Sequence, residues 1–339
     1  MGLKDSPQYY HEVLKRIPPR PLPLFEDPEM QERVWRRRWG VYNDVGTLKM
    51  VMVHRPGDEI KVIRKEKFDP VLEALIDDDE QWYFRSEETP DLQKMQKEHD
   101  QMTEVLRQQA VEVVHVDGSP NDPKAIFTRD NGIAVQGGFI VARMGPVGKT
   151  PGTGRRGEEA YVAKKVSEIG MPILRTIHGS GLFEGGSFAF LNNSNAVIGL
   201  SFRQNEEAVR QIEEVLRVQG INLIRVDLTG YSLHIDGALV MLNHDLALVN
   251  SSRLPYWFLD KLKELHIHFI EAHYADHPMV VNCLAVAPGK VLFAINNGEG
   301  TAERLIKNGI ELFPVDYSEC QKNGGSLHCS TLPLIREQD

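Results

Sequence analysis

The chain has 339 residues, 41% of them hydrophobic, with 39 lysines and arginines against 48 aspartates and glutamates, for a formal charge of −9. That length accommodates one large domain or two ordinary ones, and the acidic balance argues against a duplex nucleic-acid binder, which needs a clustered basic surface. Cys283, Cys320 and Cys329 are odd in number, widely spaced and without a CxxC pair, so neither a disulfide framework nor a zinc site is expected and a reducing, cytoplasmic setting is the natural reading.

Residues 1–40 read as an N-terminal extension and 41–339 as a single domain. Pro18, Pro19, Pro21 and Pro23 interrupt the start and no apolar run accompanies them, so no secretory signal or membrane helix is expected, and no membrane partner. Arg36, Arg37 and Arg38, between Trp35 and Trp39, read as a solvated helix face. From there one pattern recurs five times: two short apolar strands, an amphipathic helix, one more strand.

The first unit has a strand over Leu48–His54, a long irregular insert, a helix over Leu92–Gln109 and a strand over Val111–Val116. Asp77, Asp78 and Asp79 in the insert read as a solvated loop, with a lid over a pocket as the alternative. The second unit has Ile133–Val135 and Phe139–Arg143 around a Gln-Gly-Gly turn, a helix over Glu158–Ile169, and Pro172–Ile177. In the third, Phe188–Leu191 and Ala196–Leu200 flank an Asn-Asn-Ser-Asn turn, Ala208, Ile212, Val215 and Leu216 share one helical face, and Ile221–Val226 closes the unit. The fourth repeats this with Ala238–Leu242, Leu246–Asn250, a helix over Tyr256–Leu265, and His266–Ile270. The fifth has Cys283–Ala287 and Lys290–Ile295 around Pro288-Gly289, a helix over Thr301–Lys307 stopping at Gly309, and Ile310–Val315. The tail, Ser326–Leu334, reads as a strand left over to complete the first unit.

Five units joined head to tail, the last strand completing the first, predict an α/β fold: a closed, five-bladed pseudo-symmetric propeller of ββαβ units. A linear solenoid is the alternative, and it would want polar capping repeats where this chain ends on an apolar strand.

The unusual residues fall at one place in different units, just before or within the first strand of a hairpin: Arg129 and Asp130, Glu184, His234 and Asp236, and Cys329 in the tail. In a ring such positions converge on the axis, gathering a thiol, an imidazole and three carboxylates. Glycines accompany them at Gly132, Gly185, Gly186, Gly237, Gly324 and Gly325, which would let backbone approach a ligand closely. Three carboxylates repel unless a cation lies between them, and a planar guanidinium with forked donors suits several at once. A thiolate could then attack its central carbon, with one histidine protonating the departing nitrogen and activating water.

The segments Phe127-Thr128-Arg129-Asp130, Phe183-Glu184-Gly185-Gly186, Leu233-His234-Ile235-Asp236-Gly237 and Gly324-Gly325-Ser326-Leu327-His328-Cys329 resemble, in order and spacing, the guanidino-group-modifying superfamily. The opening Val45-Gly46-Thr47-Leu48-Lys49 and Val53-His54-Arg55-Pro56-Gly57 looks most like arginine deiminase, so the resemblance runs from about residue 42 to 334. It implies the five-bladed propeller and covalent catalysis without metal or organic cofactor. Cys329 would be the nucleophile, His234 the acid and base, and Glu184 the group that orients His234. Asp130 and Asp236 would bind guanidinium nitrogens, with Arg129 beside them. Arg203 matches a family arginine that grips the substrate carboxylate, and Arg155 or Arg156 is a candidate second one.

Arginine deiminases carry an arginine where Gly324 stands here, and dimethylarginine hydrolases usually lack an acid at the place of Asp236. Amidinotransferases place an aspartate where Glu184 stands, which favours hydrolysis over transfer. The expected partner is a small guanidino compound, arginine, a substituted arginine or a related guanidine; a homo-oligomer stays open. An amidinotransferase is the enzymatic alternative and a binding propeller the non-catalytic one. Cys283 and Cys320 read as packed thiols, and His273, Asp276 and His277 as a surface loop rather than a metal site.

Overall fold

Continuous apolar runs bounded by turns form the hairpins, and strictly spaced apolar residues form the helices that follow. The computed structural model of the chain describes residues 2–118, 120–145, 155–230 and 232–338. Helices α1 (Tyr9–Arg16) and α2 (Pro28–Trp35) come first. Asp27 caps α2 by accepting the Met30 N–H at 2.9 Å. Beyond α2, Arg37 and Arg38 pair with the exposed acids Glu112 and Glu32, while Trp39 is buried in the main core.

The first unit has β1 (Leu48–Val53), then an insert folded as a small sheet of its own, β2 (Phe68–Asp69), β3 (Ala74–Ile76) and β4 (Tyr83–Phe84), then α3 (Leu92–Gln108) and β5 (Glu112–His115). The second has β6 (Gly132–Val135), β7 (Gly138–Val141), α4 (Glu158–Glu168) and β8 (Ile173–Thr176). The third has β9 (Phe188–Asn192), β10 (Asn195–Leu200), α5 (Glu206–Val218) and β11 (Asn222–Asp227). The fourth has β12 (Leu239–Asn243), β13 (Leu246–Val249), α6 (Tyr256–Glu264) and β14 (His268–Glu271), and the fifth β15 (Leu284–Ala287), β16 (Lys290–Ala294), α7 (Glu299–Lys307) and β17 (Glu311–Val315). A short helix α8 (Ser318–Gln321) leads to β18 (Leu332–Arg336).

Every unit after the first pairs its hairpin strands antiparallel and its second strand parallel to the strand after the helix. In the first, β1 pairs in parallel with β5 and antiparallel with β18, so the end of the chain completes the sheet that its beginning opens. Strands of different units also touch: β18 meets β6, β9 meets β12, β12 meets β15, and β15 meets β1. β6 and β12 are buried along most of their length, whereas β5 and β8 are exposed at both ends and half-buried between. The amphipathic helices sit outside the sheets. In α5, capped by Asn205, Ala208, Val209, Ile212 and Leu216 have no exposed surface, and burying a side chain the size of Leu or Ile contributes about 1.5–3 kcal/mol.

The tail differs from expectation. Residues 327–330 form a turn rather than strand: the Ser330 N–H donates to the Ser326 carbonyl at 3.1 Å, and the Thr331 hydroxyl donates to the Leu327 carbonyl at 2.8 Å. Short hydroxyl side chains satisfied the local backbone and overrode the apolar pattern. Cys329 therefore sits in a turn just ahead of β18. The insert, by contrast, has an apolar core of Ile63, Leu75, Trp82 and Phe84, which is why it folds rather than remaining a loop.

Candidate active site

A short 3-10 turn precedes the first strand of four units, and the chemical residues ride on these turns. Asp130 lies within Thr128–Asn131, Glu184 caps Gly185–Ser187, His234 caps Ile235–Gly237 with Asp236 inside it, and Asn282 follows Pro278–Val281. Cys329 occupies the corresponding turn before β18. One cavity of about 630 Å³ is lined by Asp130, Glu184, His234 and Cys329 together with Arg155 and Arg203, and an adjoining one of about 430 Å³ adds Asp236 and Asn282 around the same Cys329.

His234 lies between two carboxylates. Its Nε2 is 2.7 Å from Glu184 Oε2 and its Nδ1 is 3.4 Å from Asp130 Oδ1. Burial alone would lower the imidazole, but the Asp130 charge and the Glu184 hydrogen bond outweigh it and raise the ring to about 9, so the imidazolium is the neutral-pH form. Burial would raise Glu184, yet its bond to His234 and the charges of His234 and Arg203 hold it well below the usual carboxylate range. Gly186 makes this approach possible, because a Cβ there would lie 2.7 Å from Asp130 Oδ1 and 2.8 Å from His234 Nδ1.

Cys329 lies opposite a different set. Asn282 Nδ2 donates to Sγ at 3.1 Å, and Sγ lies 3.5 Å from Asp236 Oδ2, which also takes a hydrogen bond from His328 Nδ1 at 2.9 Å. Burial pushes the thiol well above its ordinary value, and Asp236 and Asp130 push it further, against the smaller effect of Asn282. Without a ligand the sulfur is a thiol.

The arginines are already engaged. Arg203 Nη1 donates to Glu184 Oε1 at 2.8 Å. Arg155 Nη1 reaches Asp130 Oδ2 at 2.5 Å, and its Nε and Nη2 hold Glu158 at 2.8 Å each. Both line the cavity, but as partners of the acids expected to meet substrate. Arg156 pairs with Glu159 and is absent from the cavity wall, as is Arg129, whose Nε and Nη2 are buried without a hydrogen bond.

Asp130, Glu184 and His234 are near enough to ring a metal ion. Both ring nitrogens, however, already face carboxylates whose other oxygens take arginine donors, so the set is satisfied as a cage for an imidazolium. His273, Asp276 and His277 gather no such cluster: Asp276 instead accepts the Thr301 N–H at 2.6 Å at the start of α7. Cys283 and Cys320 are buried and unpaired, with Cys283 pushed up to about 12 by burial, as packed thiols should be.

Three residues were missed from the sequence: Asn282, His328 and the cavity-lining Lys124. Asn282 was discoverable, since it stands in the fifth unit where Asp130, Glu184 and Asp236 stand near the starts of theirs.

A cysteine and a carboxylate-held histidine face one cavity with further acids suited to a planar cation, and the class is that of enzymes that hydrolyse guanidino carbon–nitrogen bonds through a covalent intermediate. The family model described as "N,N dimethylarginine dimethylhydrolase, eukaryotic" matches residues 66–336, and the chain belongs to that family. Among relatives it is similar to protein YkgA of Bacillus subtilis, 27% identical over 240 residues that cover 70% of this chain and 79% of the other. It is also similar to the N(G),N(G)-dimethylarginine dimethylaminohydrolase of Mycobacterium tuberculosis, 28% identical over 198 residues, 58% of this chain and 64% of the other. In fold it resembles DDAH from Pseudomonas aeruginosa, solved as a cysteine-to-serine mutant complexed with citrulline, with a TM-score of 0.67, 20% identity, and coverage of 85% of this chain and 100% of that one.

Proposed function

We propose that Cys329 is the nucleophile, His234 the acid and base, and Glu184 its orienting partner, in the hydrolysis of arginine, a substituted arginine or a related guanidine. The observation that carries this reading is the placing of the Glu184–His234 pair, 2.7 Å apart, and Cys329 on the wall of one cavity. A guanidinium entering between Asp130, Asp236 and the sulfur supplies the positive charge that the thiol lacks, and the thiol loses its proton to solvent as the cation binds. The thiolate forms a bond to the guanidino carbon, and the tetrahedral adduct collapses by breaking the bond to one nitrogen. His234 gives that nitrogen its proton, and ammonia or an alkylamine leaves. The neutral imidazole then takes a proton from water as hydroxide adds to the thiouronium carbon, and loss of the sulfur yields the urea-type product. Arg203 and Arg155 hold Glu184 and Asp130 in place, and Arg203 helps keep Glu184 ionised.

The strand contacts between units and the pairing of β18 with β1 support a closed five-bladed ring with the cavity near its axis. Three unpaired buried cysteines favour the cytoplasm. Among the described residues no helix is long and apolar enough to cross a membrane.

A product screen tests the reading: purified protein with arginine, methylated arginines, agmatine and simple guanidines, scored by mass spectrometry for the urea-type product and the released amine. Turnover abolished in Cys329→Ala is the expected result. Turnover that needs an added amine acceptor overturns hydrolysis in favour of amidino transfer.

A further inference from the structure

One buried cation on the cavity wall has no part in that chemistry. Lys124 is 7% exposed and lines the cavity. Its Nζ donates to the carbonyl of Tyr83 at 2.7 Å and to that of Asn323, and lies 4.0 Å from the centroid of the Tyr83 ring. Tyr83 belongs to β4 of the insert and Asn323 to the loop before Cys329, so the ammonium stands where those two segments meet.

Both acceptors are neutral, and among the described residues no carboxylate pairs with this ammonium. An ammonium has three donors; the two carbonyls take two, and the Tyr83 ring face, 4.0 Å away, is a contact that carries no counter-charge. Burial, together with the charges of Arg155, Arg85 and Arg203, pushes the Lys124 amine well below its ordinary value, and Asp122 offsets this only in part, so an anion brought by a ligand is what would restore the ammonium. The cavity's other acids are spoken for or remote: Asp130 and Glu184 are held by Arg155 and Arg203, while Asp69 and Glu80 sit at the half-exposed and exposed rim of the insert. A buried cation without a counter-ion is costly, and a cavity wall is where a ligand can supply one.

We propose that Lys124 is the receptor for a carboxylate on the tail of the substrate, which makes the substrate class an ω-guanidino carboxylate with no ammonium beside the carboxylate. The assignment rests on the guanidino reading above. A second cation on the tail would stand against Lys124 and Arg85 in a site with little water, where like charges repel strongly.

Three guanidines that differ only at the tail decide the matter: 5-guanidinopentanoate, arginine, which adds an ammonium, and agmatine, which bears an amine in place of the carboxylate. Calorimetric titration of the Cys329→Ser protein should show 5-guanidinopentanoate binding at least about tenfold more tightly than arginine, with agmatine weakest. In Cys329→Ser/Lys124→Met that preference should vanish while agmatine binds no worse. Equal or tighter binding of agmatine, or of arginine, overturns the proposal, as does a preference that survives Lys124→Met. Should the methionine variant not fold, Lys124→Arg takes its place and must keep the order of preference. If no guanidine binds at all, the guanidino reading fails, and pentanoate alone then tests Lys124: binding that Lys124→Met removes upholds the anion receptor, and absence of binding overturns it.

Discussion

Asn282 holds Cys329 at two points: its Nδ2 donates to the sulfur at 3.1 Å, and its Oδ1 accepts the Cys329 N–H at 3.1 Å. The amide donor favours the thiolate, and the carbonyl fixes the turn that carries it. Asn282→Ala removes both, and a nucleophile displaced by an ångström loses on the order of a hundredfold in rate. We expect that loss in turnover, and the pH dependence of iodoacetamide alkylation at Cys329 should move to higher pH. An unchanged alkylation profile would mean that Asn282 only shapes the turn.

The His234 imidazolium makes stability and activity fall together in alkaline solution. The group's folded value, about 9, lies above its ordinary 6.5, so its contribution is fully present below pH 6.5 and is lost as pH rises through 9. That contribution is on the order of 3 kcal/mol. Urea titrations should show unfolding free energy declining over this window, with a smaller decline in His234→Asn. Turnover should fall along the same limb, because the proton for the leaving nitrogen is lost.

Gly324 has φ of +104° and lies directly beneath Tyr83, whose hydroxyl a Cβ at this position would strike. Gly324→Ala should cost about 1–2 kcal/mol in backbone strain and push the insert outward, seen as a lower Tm and faster proteolysis within residues 68–84. Adding Tyr83→Ala should restore the protease resistance but only part of the Tm, since it removes the hydroxyl and the ring carbons that the new Cβ would meet and leaves the strain.

Arg155 is the counter-ion that Asp130 and Glu158 share. Arg155→Met leaves the buried Glu158 without its cation and Asp130 with the His234 imidazolium alone, and breaking a buried pair typically destabilises by about 3–5 kcal/mol. The measurement is denaturant unfolding at neutral pH. A loss below about 1 kcal/mol would assign Arg155 to substrate rather than to the scaffold.

Much of the fold was readable because its signals are periodic. The runs at Phe188–Asn192 and Leu239–Asn243, and the stripe of Ala208, Ile212 and Leu216, identify hairpins and a helix without ambiguity, and their recurrence places Asp130, Glu184, His234 and Asp236 at like positions. What escaped depends on partners rather than on pattern. Arg203 and Arg155 looked like groups awaiting a substrate, and only the packed chain shows them bound to Glu184 and Asp130. Ser330 and Thr331 turned an apparent strand into a turn through hydroxyl and backbone bonds that hydrophobicity does not register. Lys124 carried no motif, and its meaning comes from two carbonyls about 40 and 200 residues away in sequence.

The pairing of β18 with β1 makes the first sheet the joint product of two segments far apart in the chain. All the units between them must be made before that sheet can form, and a chain interrupted anywhere ahead of β18 leaves β1 with an unpaired edge on which another chain can build. Cys329 stands just ahead of β18, so the docking of that strand and the arrival of the thiol on the cavity wall are one event.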